Sequence, residues 1–349
     1  MPYLTYHSKV KHTINLSSEG ILMKQIQIET LRGLACFLLV AFHVVGDTAN
    51  SGLKIEEGVF REINDFLALI RMPLFTFLSG WVYALRPFSG NGLAFLKSKV
   101  RRLILPMLVV GTVFAVLQSQ IPGANSKTVD WTELHLIPVA HYWFLESIFT
   151  IFLFVMLLEL FKVFDSFYGF LIVLTIASIL FALKINQPLF ALSGTLYLFP
   201  FFLLGMLRTR YLKGERLNSI LLVAGLLALF FLFGTINIDF NNIDKRSLAG
   251  LITSGACCIF LQNVGFKSAF LSAIGKFSYS IFLFHVFFTA GSRILLSKLG
   301  VTNLEALFLS GVFVGIAGPI IVELVIIRSR VLRILLLGKR ISLKEARPA

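Results

Sequence analysis

One apolar stretch of the sequence, residues 31–47, contains three side chains that are costly to place in an apolar environment: Arg32, His43 and Asp47. Arg32 and His43 are eleven residues apart. On an α-helix this spacing puts them on one face, about three turns or ~16 Å apart along the axis. The pattern predicts a helix with a cation at one end and an imidazole at depth. Histidine changes charge near neutral pH and is the commonest general base in enzymes.

Both residues also have plain structural interpretations. Arg32 could extend its side chain to lipid headgroups, and His43 could be a hydrogen-bonded interior histidine. An ionisable residue at bilayer depth costs about 3 kcal/mol or more, so it persists only where something compensates that cost. A functional role is therefore favoured for His43, while the two interpretations of Arg32 stay open.

The composition indicates a polytopic membrane protein. The chain has 349 residues, of which 57% are hydrophobic and 14% charged, and its mean hydropathy is +0.85,. A net charge of +14 would suggest nucleic-acid binding in a soluble protein. Here the basic residues fall between apolar spans, where they act as topology signals, so membrane lipid is the expected partner and nucleic acid is not. The cysteines Cys36, Cys257 and Cys258 lack metal-ligand or disulfide spacing and predict free thiols without a metal site.

The expected fold class is all-α, with about ten transmembrane helices. Ten segments approach the roughly 20 residues needed to cross ~30 Å of hydrocarbon. They are 28–48, 65–85, 103–119, 140–161, 167–184, 190–207, 218–236, 247–264, 274–296 and 304–327. If the N-terminus is cytoplasmic, most of the 32 Lys and Arg residues lie in connections on that side. The positive-inside rule then predicts that both termini are cytoplasmic.

Three parts of the chain follow from this pattern: a polar N-terminal tail (1–27), an integral-membrane domain (28–327) and a basic C-terminal tail (328–349). No cleavable signal peptide is evident, so we expect the first span to be an uncleaved anchor. Met23 is an alternative start to Met1. In that case the preceding residues would be an extension outside the site.

Two other regions carry polar groups at or inside the spans. In the second span, Ser79 precedes Gly80, which lets a backbone or a ligand approach closely; ordinary helix packing explains the pair equally well. Arg71 is either a snorkelling anchor or a ligand for an anionic acceptor. At the inner mouth of the third span lies a basic cluster that includes Lys99, Arg101 and Arg102. It either retains the loop inside near anionic lipid or joins Arg32 in a phosphate-binding collar.

The fourth and ninth spans supply further candidates. The fourth opens with His141 and Trp143, and a tryptophan at this place is typical of a membrane interface. Glu146 lies deeper in the same span and must be protonated or paired, with His43 or an arginine as partner. His285 lies in the ninth span, where a core role and a site role are equally open.

Taken in order, these segments resemble a known family. They read Leu-Arg-Gly-Leu-Ala with a histidine eleven residues after the arginine, Met-Pro-Leu-Phe-Thr-Phe-Leu-Ser-Gly, Lys-Val-Arg-Arg-Leu-Ile-Leu-Pro, His-Tyr-Trp-Phe-Leu and Phe-Ser-Tyr-Ser-Ile-Phe-Leu-Phe-His. The set resembles the acyltransferase-3 family, the bacterial integral-membrane O-acyltransferases, over residues 28–327. One departure is Phe282, which stands where the family often has tyrosine, so the acceptor could differ.

The resemblance implies ten helices, an acyl-CoA donor on the cytoplasmic side and a sugar hydroxyl as acceptor, in a cell-envelope polysaccharide or a lipid-linked precursor. Transfer of acetyl from acetyl-CoA is the family's common case. The inner membrane is the expected location, and no bound cofactor is expected beyond this donor substrate. The resemblance also implies that the arginine-to-histidine motif, here Arg32 and His43, is the catalytic element.

From these pieces we expect specific roles. Candidates for contact with the CoA phosphates are Arg32, Lys99, Arg101 and Arg102. His43 is expected to act as general base, with Asp47 or Glu146 orienting its ring; an acyl-histidine or acyl-Ser79 intermediate is a less favoured variant. The expected acceptor-binding residues are Ser79, Arg71, His141, Trp143 and His285.

Two other classes of function remain open. A proton-coupled transporter or flippase of a glycan precursor would use His43, Glu146 and His285 as a relay. The lack of a matching pair of Gly/Pro-broken spans in two halves weighs against it. A catalytically idle scaffold for polysaccharide assembly is the third class. The sequence leaves the acceptor, the acylated position and the oligomeric state undetermined, including whether the chain forms a homo-oligomer.

Overall fold

The computed structural model describes residues 18–121, 130–212, 214 and 244–339. It is 78% helical, and the described residues form no strand. The all-α fold class is therefore confirmed. The long helices are apolar over most of their length, as expected where lipid replaces water around the bundle and every backbone polar group must be bonded within its own helix.

The described residues form thirteen α-helices. In chain order they are α1 (Ser18–Val45), α2 (Val59–Phe66), α3 (Ala68–Leu85), α4 (Gly92–Lys99), α5 (Leu105–Gln120), α6 (Trp143–Leu160), α7 (Phe167–Ala182), α8 (Leu192–Arg210), α9 (Leu248–Val264), α10 (Ala269–Lys276), α11 (Ser278–Lys298), α12 (Leu304–Ile326) and α13 (Arg330–Leu337). A π-helix, Val100–Ile104, joins α4 to α5.

Among the described residues, seven helices are long and apolar enough to cross a membrane, or eight if one bent pair counts as a single span. The predicted number of about ten differs for identifiable reasons. The predicted span 218–236 lies outside the described residues. The predicted span 167–184 is α7, an apolar helix of only 16 residues. The cytoplasmic location of the termini stays a prediction.

The bent pair consists of α9 and α10, which meet at 117°. Gly265, between them, has a positive φ of 67°, a conformation that glycine adopts without strain. The bend lets α10 pack closely against α1. A Cβ atom built on Gly33 would lie 1.9 Å from the Leu271 carbonyl oxygen, and one on Gly275 would lie 1.8 Å from the Glu29 carbonyl oxygen. The glycine in the Leu-Arg-Gly segment therefore permits backbone contact between two helices.

A second glycine-mediated contact joins α3 and α8. A Cβ atom on Gly80 would lie 2.0 Å from the Phe202 carbonyl oxygen, and one on Gly205 would lie 2.1 Å from that of Phe77. Small residues allow this approach, which gives van der Waals contact between helices in lipid. Helix packing is thus sufficient to explain Gly80, and it fixes α3 beside α8.

The bundle has two sides, defined here by α1. The upper side is the one on which α1 ends, and the lower side is the one on which it begins; the positive-inside rule predicts that the upper side faces outward. On the upper side the loop 46–58 is held by Arg61. Its guanidinium donates to the carbonyl oxygens of Gly46 at 2.8 Å, Thr48 at 3.1 Å and Ile55 at 3.0 and 3.1 Å. This loop forms part of the rim of the main cavity.

Candidate active site

A cavity of about 580 Å³ opens within the upper half of the bundle. Its lining combines apolar rings with titratable groups, among them His43, His141, Arg71 and Lys245. A volume of this size is typical of small-molecule sites, and the mixture of apolar walls with a few polar groups is typical as well. The cavity could therefore accommodate a sugar unit.

His43 lies in the last turn of α1, so it is nearer the upper end of the helix than the middle of the span. Its side chain is half-buried and lines the cavity. The helix carries His43 here because the apolar faces of α1 pack against α3, α11 and α12. The imidazole is thus presented to a cavity on the upper side of the bundle.

Three histidines from three helical segments meet at this cavity. The ring centroids of His43 and His285 are 4.6 Å apart, those of His141 and His285 4.9 Å, and those of His43 and His141 5.7 Å. Within the described part of the chain, no group of three or more His, Cys, Asp or Glu side chains is arranged to hold a metal ion. The arrangement is therefore a cluster of ring contacts and one hydrogen bond.

The hydrogen bonds of His43 and His285 determine which nitrogen of these two rings carries the proton. His285 Nδ1 lies 2.8 Å from the Ile281 carbonyl oxygen and 3.0 Å from that of Phe282. Because a carbonyl oxygen only accepts, this nitrogen must be the donor, and Nε2 of a neutral His285 is an acceptor. That acceptor lies 3.0 Å from His43 Nδ1.

His43 Nδ1 therefore carries a proton, which it donates to His285; the Leu39 carbonyl oxygen, also 3.0 Å away, accepts from the same N–H. In the neutral ring the other nitrogen, Nε2, is then unprotonated. A histidine whose Nδ1–H is held by a hydrogen bond, and whose Nε2 has a free lone pair, can act as a general base. The partner that orients His43 is His285, a residue 242 positions away.

His141 completes the cluster without a hydrogen bond of its own. It is 7% exposed, and neither ring nitrogen has a hydrogen-bond partner among the described residues. The ring lies beside Tyr142, with centroids 4.1 Å apart, and contacts Phe282 edge-on at 5.5 Å. His141 thus contributes a buried imidazole to the cavity wall.

The two acidic candidates do not reach His43. Asp47 lies beyond the end of α1 and is exposed, and it accepts a hydrogen bond from the Ser51 hydroxyl. Glu146 is 4% exposed, and neither carboxyl oxygen has a hydrogen-bond partner among the described residues. The structure therefore gives the orienting contact on His43 to an imidazole and leaves Glu146 as a buried, unpartnered carboxyl group.

The remaining candidates near the acceptor lie in different surroundings. Trp143 and Phe282 line the cavity, and the Trp143 ring packs so closely on Gly194 that a Cβ there would lie 2.6 Å from it. Ser79 donates its hydroxyl to the Phe75 carbonyl oxygen at 2.9 Å and is not among the residues that line this cavity.

Arg71 lines the cavity and is only 5% exposed. Its Nη1 donates to Asn64 Oδ1 at 2.8 Å, and its Cζ lies 4.0 Å from the Phe42 ring centroid. Lys245 also lines this cavity, and the sequence did not single it out. Lys245 is exposed, but desolvation, with Arg71 and Arg246 nearby, lowers its pKa. The signal that could have identified it is a lysine on the side predicted to be poor in basic residues.

On the lower side the start of α11 links α1, the helix that carries Arg32, to the π-helix. Cys36, one turn after Arg32, contacts the Ser278 carbonyl oxygen through its thiol at 3.8 Å. The next residue, Tyr279, donates its hydroxyl to the Arg102 carbonyl oxygen. The Arg32 side chain is half-buried and that of Arg102 is exposed. A short π-helix within a helical segment is often found at functional sites.

The other two basic candidates make internal contacts. The Lys99 ammonium group lies 3.2 Å from the centroid of the Phe152 ring and 5.0 Å from that of Phe95. Arg101 donates from Nε to the Gly338 carbonyl oxygen at 3.0 Å and so ties the π-helix to the end of α13. The three cysteines, Cys36, Cys257 and Cys258, are free thiols.

Comparisons with known proteins agree with this architecture. The model of the acyltransferase-3 family, described as an acyltransferase domain, matches residues 25–328. No curated protein and no solved structure matches the chain. The matched range covers almost all of the described bundle, including the histidine cluster and the π-helix. The chain therefore belongs to the acyltransferase-3 family of membrane acyltransferases.

Proposed function

We propose that this protein is an O-acyltransferase of the cell inner membrane. It transfers an acyl group, which we take to be acetyl, from acyl-CoA to a hydroxyl of a cell-envelope polysaccharide or lipid-linked sugar. The observation that carries the proposal is the unprotonated Nε2 of His43, fixed by the hydrogen bond to His285 at a cavity of about 580 Å³. Family membership supports acyl transfer in general.

The donor would enter from the lower side. Arg32 and the exposed Arg102 are the residues best placed to bind the CoA phosphates, because guanidinium groups suit bidentate phosphate contacts. Arg32 and His43 are ~16 Å apart along α1 by helix rise. This separation matches the length of the pantetheine arm, on the order of 15–20 Å if its backbone is extended. The thioester would then lie beside the imidazole.

The chemistry then follows from the tautomer. His43 Nε2 takes the proton of the acceptor hydroxyl while the hydroxyl oxygen attacks the thioester carbonyl carbon. The carbon–sulfur bond breaks, the CoA thiolate takes the proton back from Nε2, and the products are an O-acyl ester and free CoA. His285 accepts from Nδ1–H throughout and keeps the ring oriented. Enclosure by the helices limits hydrolysis of the thioester.

The test is CoA release by purified protein in nanodiscs. Acetyl-CoA is supplied with and without a crude envelope-glycan extract, and acetylated glycan is detected by mass spectrometry. We expect glycan-dependent CoA release that disappears in His43→Ala. His135→Ala is the matched control, because His135 lies outside the cavity lining and contacts Thr112 Oγ1 at 2.9 Å. No CoA release by folded wild-type protein with acetyl-CoA or longer acyl-CoA would contradict the proposal.

The hydrogen bond between His43 and His285 also suits a proton relay, so a proton-coupled transporter or flippase is the second candidate. It predicts glycan-precursor movement that depends on a proton gradient, with no consumption of acetyl-CoA. Reconstitution in liposomes with an imposed pH gradient distinguishes the two functions. Transport without CoA release would favour the relay.

A further inference from the structure

The charged residues in the cavity wall are unevenly paired. The wall contains two carboxylates, Asp47 and Asp65, and three cations, Arg71, Lys245 and Arg293. Each carboxylate has a local partner. Asp47 accepts from Ser51, and Asp65 lies 3.5 Å from Arg61 Nη1. The acidic groups at the rim are therefore engaged by the loop and helix on which they lie.

Two of the cations have no such partner. In residues 18–121, 130–212 and 244–339, neither Arg71 nor Lys245 forms an ion pair. Arg71 is the stronger evidence for an anion site because it is only 5% exposed. A buried charge without an ion pair is costly, and the more distant Asp65, a neutral amide and an aromatic face compensate this one only in part. The site is thus built to hold a guanidinium and leaves its charge available.

The contacts of Arg71 also fix its place relative to the reacting centre. Its guanidinium carbon lies 4.0 Å from the centroid of Phe42, and the Phe42 ring contacts His43 edge-on at 4.8 Å. Arg71 and His43 therefore both contact Phe42, and all three line the cavity. Lys245 lines the same cavity as Arg71, and the like charge of Arg71 acts on it. A single anionic group could contact both.

We propose that the acceptor is an acidic sugar unit whose carboxylate or phosphate binds between Arg71 and Lys245, with its reactive hydroxyl at His43. This inference rests on the proposed acyl transfer and names its substrate class. Charge-assisted hydrogen bonds from a planar guanidinium suit either anion. An anion at this place neutralises the unpaired charges and orients the sugar ring, so that one hydroxyl faces Nε2.

The test measures binding and needs no turnover. Protein in zwitterionic-lipid nanodiscs is titrated by calorimetry with two matched pairs of probes. The carboxylate pair is a hyaluronan tetrasaccharide and its carboxyl-reduced neutral form; the phosphate pair is N-acetylglucosamine 1-phosphate and N-acetylglucosamine. We expect at least one anionic probe to bind about tenfold or more tightly than its neutral counterpart, since each tenfold step corresponds to one charged contact of ordinary strength. The pair that shows the preference identifies the anion.

Variants separate this site from general electrostatics. Arg71→Gln and Lys245→Gln should each reduce the preference, and the double variant should reduce it to about twofold or less once both charge-assisted contacts are lost. Lys54→Gln removes the same charge from an exposed position on the upper side and should leave the preference intact. Equal binding of charged and neutral probes by wild type would overturn the proposal. So would a preference that survives the double variant, or no binding of either anionic probe.

Comparing two variants distinguishes failure of the acidic-acceptor proposal from failure of the proposed acyl transfer. His43→Ala should abolish CoA release and retain binding of the anionic probe. Arg71→Gln should weaken that binding and raise the KM for the acidic glycan, with CoA release recovered at high glycan concentration. If Arg71→Gln instead abolished CoA release at every glycan concentration and left probe binding intact, Arg71 would be stabilising the thioester oxyanion, and the acidic-acceptor proposal would be wrong while acyl transfer stood.

Discussion

The titratable residues on the two sides of the bundle have different surroundings. On the upper side, His43, His141, Arg71 and Lys245 line one cavity. On the lower side, several basic residues contact the protein itself. Lys99 lies on the Phe152 ring, Arg101 bonds the Gly338 carbonyl, Arg210 pairs with Glu159 at 2.5 Å, and Lys339 pairs with the 5%-exposed Glu323. A basic cluster in a sequence therefore need not be a ligand site, since its charges can be used to join helix ends.

This contrast predicts that substitutions on the upper side lower the rate of acyl transfer. Substitutions on the lower side should instead weaken acyl-CoA binding or impair folding. The largest effect is expected for His43→Ala. Loss of a general base lowers the rate by about 10²–10⁴-fold, and acetyl-CoA binding should change little. Stopped-flow or single-turnover CoA release, with binding measured separately, checks this. A variant that lost acetyl-CoA binding and kept its turnover rate would reverse the assignment of the two sides.

The next effect is expected at His285, which acts by holding His43. His285→Leu removes the acceptor for His43 Nδ1–H and should lower the turnover rate by about 100-fold, since misplacement of a catalytic group by ~1 Å costs that much. His285→Asn retains an acceptor oxygen and should recover part of the rate. The pH dependence of the rate should shift in His285→Leu, because the imidazolium of His43 loses its partner. An unchanged pH profile with the same loss of rate would indicate a packing role only.

A smaller effect is expected among the basic residues of the lower side. Arg32→Gln should raise KM for acetyl-CoA about tenfold, as loss of one charge-assisted contact does. Lys99→Gln should raise it about threefold or less, because its ammonium lies against aromatic rings. Steady-state kinetics on the two variants, at matched folding and lipid content, compares them directly. A larger effect at Lys99 would show that its ammonium leaves the rings to bind the donor.

The smallest effect on chemistry, and a clear one on stability, is expected for Gly33→Ala. The added methyl would lie 1.9 Å from the Leu271 carbonyl oxygen, so α1 and α10 must separate, at a cost of about 1–3 kcal/mol. Gly291→Ala is the matched control, since a Cβ there meets nothing within 4 Å. Thermal unfolding in detergent should show a lower Tm for Gly33→Ala alone. A Tm equal to that of the control would contradict the close packing.

Some of this architecture follows from sequence and some does not. Hydropathy identified the long spans, and the eleven-residue spacing placed Arg32 and His43 on one helix. The predicted span 247–264 ends where α9 ends, but α10 was not predicted as a separate helix, because α9 and α10 are both apolar and their 117° bend leaves no mark in a hydropathy profile. The contact between His43 and His285 depends on packing between distant segments. A local pattern therefore favoured Asp47 and Glu146 as orienting partners.

The contacts of Arg61 bear on how the loop 46–58 can change during evolution. One guanidinium bonds three carbonyl oxygens of the loop 46–58, while His43, His141 and His285 are all carried by helical segments. The loop can therefore be exchanged together with its anchors on α2 and α11, which are Arg61, Asn64 and Arg293, and leave the reacting groups where they are. Related acyltransferases could therefore vary the rim of the cavity by changing this loop, without changing the helices beneath it.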